Sequence, residues 1–454
     1  MARRLALVTL FVLIATQTAQ EAAGQSRYVL VAGRRLPYLY AISLDAALDP
    51  ANDQTANAVI ARNKVALDRF DGRLVGDPAN LVVSEDQSTV YVVNHHGAID
   101  NAEFLQHGGR GAISVMSVDA VLDPANDRTA NGLQRHMDSG GFGSLGVVLL
   151  PDLLAISNAE NYLTEDGGNR ITLIDRRTGS LRGTIELGLG SPDHACPDYP
   201  VPYASGHGPP RGVAILSPDP AWGCFPDSNG MALGRASDGT EYLFTANGGT
   251  NDVSVIDLAR ALRGDPAAEI ARIPVQLGPW GITATPDGRH VIVANGGSQR
   301  DGSAGNTLSI TDVDRARSDP TNAEVARVLV GTDDPGEASH PLIPSVTPDG
   351  RHVVVPNIRV NNVSIVDLER AIAGDAEAEV ARIPLARADG RTARPKGSAI
   401  TPDGRYAVVT AGPRVEPLSE EPGHLYVIDL QARRVVATVT GVGNDPYGVA
   451  IVVR

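Results

Sequence analysis

PSVTPDGRHVVVPNIRVNNVSIVDL, residues 344–368, is the pattern that the rest of the chain repeats. Residues 345–347 form a brief extended run, Pro348-Asp349-Gly350 a tight turn, and 352–356 an alternating strand that ends at Asn357. Pro at the second turn position presets φ and Gly at the fourth relieves crowding, as a type I turn prefers. After a polar loop, the β-branched run 363–368 predicts a third strand, closed by Asp367.

The same cassette recurs at 279–312 (PWGITATPDGRHVIVANGG, then NTLSITD) and at 396–430 (KGSAITPDGRYAVVTAG, then HLYVIDL), with looser copies upstream. The second strands alone fall at 28–32, 91–94, 153–158, 242–247, 291–295, 353–357 and 407–410, which makes seven units. A small antiparallel sheet repeated at a period of a few tens of residues cannot bury both faces alone, so the pattern predicts an all-β, seven-bladed β-propeller with four-stranded antiparallel blades. Residues 444–453 have a first-strand pattern with no second strand after them, and 28–32 a second-strand pattern with no first strand before them. The N- and C-terminal strands are therefore expected to share one blade, which removes the open sheet edge.

Between third and fourth strands, units 4 to 6 carry a helical turn with Asp-Pro or Asp-Ala punctuation, and units 1 and 2 vary it as LDPANDQT (48–55) and LDPANDRT (122–129). The clustered oxygens invite a calcium reading, but the spacing lacks the later glutamate of an EF-hand loop and turn capping is simpler. Residues 1–24 have two arginines, an apolar run from Leu5 to Ala15 and small polar residues after it, the layout of a secretory signal peptide. The mature chain, 25–454, then reads as a single propeller domain with an irregular insertion at about 188–230, periplasmic or secreted. A formal net charge of -14 argues against broad nucleic-acid binding. The only two cysteines, Cys196 and Cys224, fall in that insertion and are expected to pair in an oxidising compartment. Within it, 210–219 and 229–237 both imitate a first strand, and the pattern does not choose between them.

The units PDGRHVIVAN plus NTLSITD, PDGRHVVVPN plus NNVSIVDL, and NGGTNDVSVIDL resemble the YVTN-type β-propeller repeats of YncE-like and surface-layer-associated proteins, a group neighbouring the lactonase-type propellers. The resemblance is close in units 4 to 7 and loose in units 1 to 3, and it implies a fold rather than an activity. Members of that wider group include secreted binding proteins, lactone hydrolases and quinoprotein dehydrogenase subunits. No motif in this chain carries over a catalytic residue from any of them.

Strand order puts the connections from second to third strands, and from each outer strand to the next inner one, on one face. The Pro-Asp-Gly turns lie on the other. The first face holds the irregular loops and seven of the ten histidines: His95, His96, His107, His194, His207, His340 and His424. Two readings stay open for them: a divalent metal held by His95, His96 and His107 with Glu103 or Glu160 as partner, or loop histidines that cap turns and meet water. Arg300, Arg359, Arg391, Arg394 and Arg414 on the same face offer an anion site, with solvated surface as the simpler reading. The function expected is a binding protein that takes a small-molecule or protein ligand through the loop-rich face. A metal-assisted lactonase or lyase, and a subunit docking a redox partner, are the rivals.

Overall fold

The computed structural model describes residues 25–66, 77–95, 111–160, 169–188, 226–297, 305–415 and 419–454, together with the short strands Asp68–Arg69 and Arg73–Leu74. These residues form seven four-stranded antiparallel sheets arranged as a propeller. Numbering blades in the order of the sequence units, the second strands are Arg27–Ala32, Thr89–Asn94, Leu153–Glu160, Glu241–Asn247, His290–Asn295, His352–Asn357 and Tyr406–Ala411. Each contains the run predicted from the alternation of apolar residues.

Blade 1 is the clasp. Its inner strand, Val449–Val453, pairs antiparallel with Arg27–Ala32 in the register Arg27 to Val453 and Val31 to Val449, and Tyr38–Ser43 and Val59–Lys64 complete it. Ser26 and Arg454 extend the ladder by two backbone hydrogen bonds, 2.8 and 2.9 Å. The core confirms closure independently, because it divides into seven buried apolar clusters, each shared by two neighbouring blades. One joins Val29, Val31 and Tyr40 of blade 1 to Val408 and Val427 of blade 7, and another joins Leu30, Ala32 and Val452 to Val90 and Val92 of blade 2. A blade buried on both faces needs near-continuous apolar middle strands, which is why YVLVA and TVYVV lack strict alternation.

The Pro-Asp-Gly turn is a hairpin whose parts are local. In blade 5 the Gly288 N–H donates to the Thr285 carbonyl (2.8 Å), and Thr285 Oγ1 donates to Asp287 Oδ1 (2.6 Å). Gly288 sits at φ +72°, and Gly350 and Gly404 repeat this at +74° and +70°. A β-carbon would be strained there, so glycine is required by handedness more than by crowding. The LDPAND segments are capping devices: the Asp49 carboxylate accepts from the Ala51 N–H at 3.0 Å and Asn52 Nδ2 donates to the Ala46 carbonyl at 2.9 Å. They also cover the outer edge of the preceding blade. Gln54 N–H donates to the Thr438 carbonyl and Asp53 Oδ1 accepts from Thr438 N–H, both at 2.8 Å, so blade 1 is stitched to blade 7 at the rim as well as at the core.

The inner strand of blade 4 is Ser228–Arg235, which settles the choice between the two first-strand copies in favour of the second. A repeated Pro-x-Gly opens three other inner strands, at Pro279-Trp280-Gly281, Pro395-Lys396-Gly397 and Pro446-Tyr447-Gly448. A β-carbon on Gly281 would strike the Leu342 carbonyl of the next blade, and one on Gly397 the Tyr447 carbonyl. Inner strands crowd around the axis, and glycine lets them approach.

Candidate functional site

The second strands of blades 2 to 6 each carry a buried asparagine near the loop-rich face: Asn94, Asn158, Asn247, Asn295 and Asn357. Each donates from Nδ2 to a third-strand hydroxyl, on Ser114 (2.9 Å), Thr172 (3.3 Å), Ser254 (2.8 Å), Ser309 (2.9 Å) and Ser364 (2.7 Å). Blades 7 and 1 break this rule, with Ala411 and Ala32 at the strand end. These two blades are neighbours. The space between them is filled by charge.

Lys396, at the start of the inner strand of blade 7, is 1% exposed and meets Asp445 Oδ1 at 2.8 Å. Its Nζ also donates to the Arg394 carbonyl (3.3 Å) and to the Gly412 carbonyl. Burial lowers its pKa below the ordinary lysine value and Asp445 opposes the shift. Three acceptors around one nitrogen match an ammonium, which has three N–H donors, and leave no lone pair for nucleophilic work. Lys396 is a strut, not a reacting group. Tyr447 lies between cations, with the Arg34 guanidinium 4.6 Å and Lys396 Nζ 5.6 Å from its ring centre. Burial, reinforced by the Asp445 charge, pushes its hydroxyl up to about 12.

Around this plug runs an arc of arginines, brought together by strand order. Arg359 lies in the turn after the second strand of blade 6, Arg394 just before the inner strand of blade 7, Arg414 in the loop after the second strand of blade 7, and Arg34 and Arg35 in the turn after Arg27–Ala32. The backbone that carries them is tied down: the Arg394 N–H donates to Asn361 Oδ1 at 3.0 Å and the Arg35 N–H to Asp77 Oδ1 at 2.9 Å. Next to Arg414, Val415 exchanges two hydrogen bonds with the Asn444 side chain, 3.2 and 2.9 Å. Burial pulls the Arg35 guanidinium's pKa down, Asp77 holds it up, and the Arg414 and Arg34 charges lower it further. Arg35, His340, Arg394 and Asp445 all sit in the left-handed region, at φ +73°, +57°, +54° and +67°. Such conformations cost of order 1 kcal/mol each for a residue with a β-carbon and gather at sites where side-chain direction matters.

The three loop histidines among the described residues, His95, His340 and His424, are buried. His95 is 1% exposed, its Nδ1 3.2 Å from the Ser144 carbonyl of blade 3. His340 is buried below the arc, its pKa pushed down to about 4 by burial first and then by the Arg359 and Arg394 charges. His424 is also buried, its Nδ1 3.0 Å from Arg387 Nη1. An arginine does not give up its proton, so that nitrogen accepts, and burial depresses the ring's pKa. His96, His107, Glu103, His194, His207, Arg300, Cys196 and Cys224 lie outside the described residues, as does the side chain of Glu160. Among the described residues, no three His, Cys, Asp or Glu side chains gather as metal ligands would.

Of the predicted site residues, the structure thus brings His340 and Arg359 together, adds Arg394 and Arg414 from the wider arginine set, and seats His95 apart between blades 2 and 3. Arg34, Arg35, Lys396, Asp445 and Tyr447 were not singled out by sequence. One signal pointed to two of them: Lys396 and Tyr447 stand at a Pro-x-Gly position that holds Trp280 in a sister unit. On the opposite face, a groove of about 600 Å³ opens beside the Pro151-Asp152 turn and one of about 410 Å³ beside two Pro-Asp-Gly turns, and several of their polar groups are paired within the protein. Arg176 there donates to the Leu150 and Pro151 carbonyls at 2.8 and 2.9 Å, and Asp349 accepts from Thr347 at 2.6 Å.

No protein-family model matches the sequence, and no curated protein matches it. Solved structures do share the fold. The Pseudomonas aeruginosa periplasmic gluconolactonase PpgL superposes with a TM-score of 0.57 at 18% identity, covering 94% of this chain and 99% of that one. A Bacteroides uniformis protein provisionally described as a 6-phosphogluconolactonase gives 0.57 at 15% identity over the same shares, and a Lactobacillus plantarum protein 0.55 at 13%, again over 94% and 99%. At these identities the likeness is one of fold, a seven-bladed propeller.

Proposed function

We propose that this chain is a binding protein that takes an anionic small molecule on its loop-rich face, in the arc over blades 6, 7 and 1. The observation that carries this is four guanidinium groups, on Arg35, Arg359, Arg394 and Arg414, with no side-chain hydrogen bond or ion pair among the described residues. Arginines elsewhere on the surface commonly pair off, as Arg27 does with Asp45 at 2.7 Å and Arg327 with Glu324 at 2.6 Å. Unpaired cations held close by tied backbone, in a chain of net charge -14, are poised for a ligand of the opposite sign. Small carboxylates and phosphate at low ionic strength should raise the melting temperature, since a ligand that binds only the folded state stabilises it. Arg394→Ala should abolish that rise and Arg351→Ala, on the opposite face, should retain it. Equal responses from the two variants would place the site elsewhere.

The rival is a lactone hydrolase on the same face, the activity named for two of the structural neighbours. Steady hydrolysis of gluconolactone by the purified protein would favour it, with His96, His107 and Glu103 as the residues to replace first. Of the repeat families, the YVTN type fits the units best, and we place the mature protein outside the cytoplasm with Cys196 and Cys224 bonded. Among the described residues no helix is long and apolar enough to cross a membrane. Mass analysis of unreduced protein from the native host should show an N-terminus near residue 25 and no free thiol. Residues 1–24 retained, or two free thiols, would refute the corresponding assignment.

A further inference from the structure

The arc has two cationic lobes flanking a buried centre. In the centre the Lys396 charge is met by Asp445 at 2.8 Å, and the Tyr447 ring fills the space between Lys396 and Arg34. On one side stand Arg359 and Arg394, both close enough to act on the buried His340. The Arg359 N–H is bonded to the Ser339 carbonyl (3.1 Å), the Ile358 N–H to the His340 carbonyl (3.1 Å), and Arg394 to Asn361, so this lobe rides on blade 6. On the other side stand Arg35 and Arg414, which act on one another across the junction of blades 7 and 1. That lobe is held by Asp77 and by Asn444. The two lobes are thus carried by different loops around a buried centre, in which Lys396, Arg34 and Tyr447 are 1, 4 and 6% exposed, and the Arg394 carbonyl, bonded to the Gly412 N–H, links the two sides.

Resting on the anion-binding reading above, we infer that the ligand carries two separated anionic groups, one seated by Arg359 and Arg394 and the other by Arg35 and Arg414. A single carboxylate fits one guanidinium fork pair and leaves the other lobe unpaired. A dianion with a short spacer neutralises both, and its spacer lies over the Tyr447 plug. Arg35 and Arg394 hold left-handed backbone, one in each lobe, so the strain is shared between the two seats.

Calorimetric titration of the full chain at low ionic strength, with acetate, succinate, citrate, inorganic phosphate and pyrophosphate as probes, tests this. The two-lobed site predicts that succinate or citrate, or pyrophosphate if the groups are phosphates, binds at least about tenfold more tightly than its one-group counterpart, with a stoichiometry of one. Arg359→Gln/Arg394→Gln and Arg35→Gln/Arg414→Gln should each bring the dianion down to the affinity of acetate or phosphate. Glutamine removes the charge while keeping a polar side chain, and a thermal melt confirms that each variant is folded. Should a variant fail to fold, Arg359→Gln and Arg414→Gln singly make the same comparison. Equal affinity for one-group and two-group anions would overturn the two-lobed site while leaving anion binding intact. No binding of any probe would overturn both, and loss of binding from only one double variant would reduce the site to a single lobe.

Discussion

A chain that stops at residue 448 should lose its cooperative thermal transition. The deletion removes Val449–Val453, the inner strand of blade 1, and with it five ladder partners of Arg27–Val31. Val452 is fully buried, and the strands it leaves behind belong to two of the seven inter-blade clusters. Losing an inner strand exposes apolar surface on two interfaces, and at about 25 cal/mol per Å² the loss is of order 5 kcal/mol or more, comparable with the whole stability of an ordinary domain. Scanning calorimetry checks it. A truncated protein that melts within a few degrees of the full chain would mean that the ring is not closed by this strand.

Lys396→Met should be the most destabilising single substitution in the arc. It keeps the volume but leaves Asp445, whose side chain is 15% exposed, without its ion-pair partner and strips a donor from the Arg394 and Gly412 carbonyls. Breaking a buried pair from one side costs about 3–5 kcal/mol, because an uncompensated charge remains. Lys396→Met/Asp445→Asn should recover part of that loss, since the surviving amide is neutral and the two effects do not add. Urea denaturation of the four proteins measures the cycle. If the double variant is as unstable as the sum of the singles, the pair is not coupled and the strut reading fails.

The fold was legible because it is written locally. Thr285-Pro286-Asp287-Gly288-Arg289 makes its own hairpin, and it leads straight into the near-continuous apolar run His290–Asn295, so seven such runs suffice to count blades. The inner strand of blade 4 was not legible, because two copies fit the pattern and the choice rests on contact with the next blade: a β-carbon on Gly230 would come within 2.8 Å of the Trp280 carbonyl. The site was only half legible. Arg359, Arg394 and Arg414 could be assigned to a face by strand order alone. Arg34, Asp445 and Lys396 are hundreds of residues apart or scattered among strong strand signals, and they meet only because closure sets blade 7 beside blade 1. The three described loop histidines show what composition does not reach. Their loops were identified by composition, yet His95, His340 and His424 end or precede strands, where neighbouring blades bury them.

The register Arg27 to Val453 also has a meaning in time. These partners are 453 − 27 = 426 residues apart, so the pairing that completes blade 1 is among the most non-local in the chain. Six blades can form while the chain is still being made, each from a contiguous run, but the seventh waits for the last strand. During that wait Arg27–Ala32 is an unpaired apolar ribbon, the segment most open to a wrong partner. Once the last strand docks the exposure ends. Opening must then strip five ladder pairs and uncover Val452 together, whereas the loop-closure entropy that delays closing acts only from the open side.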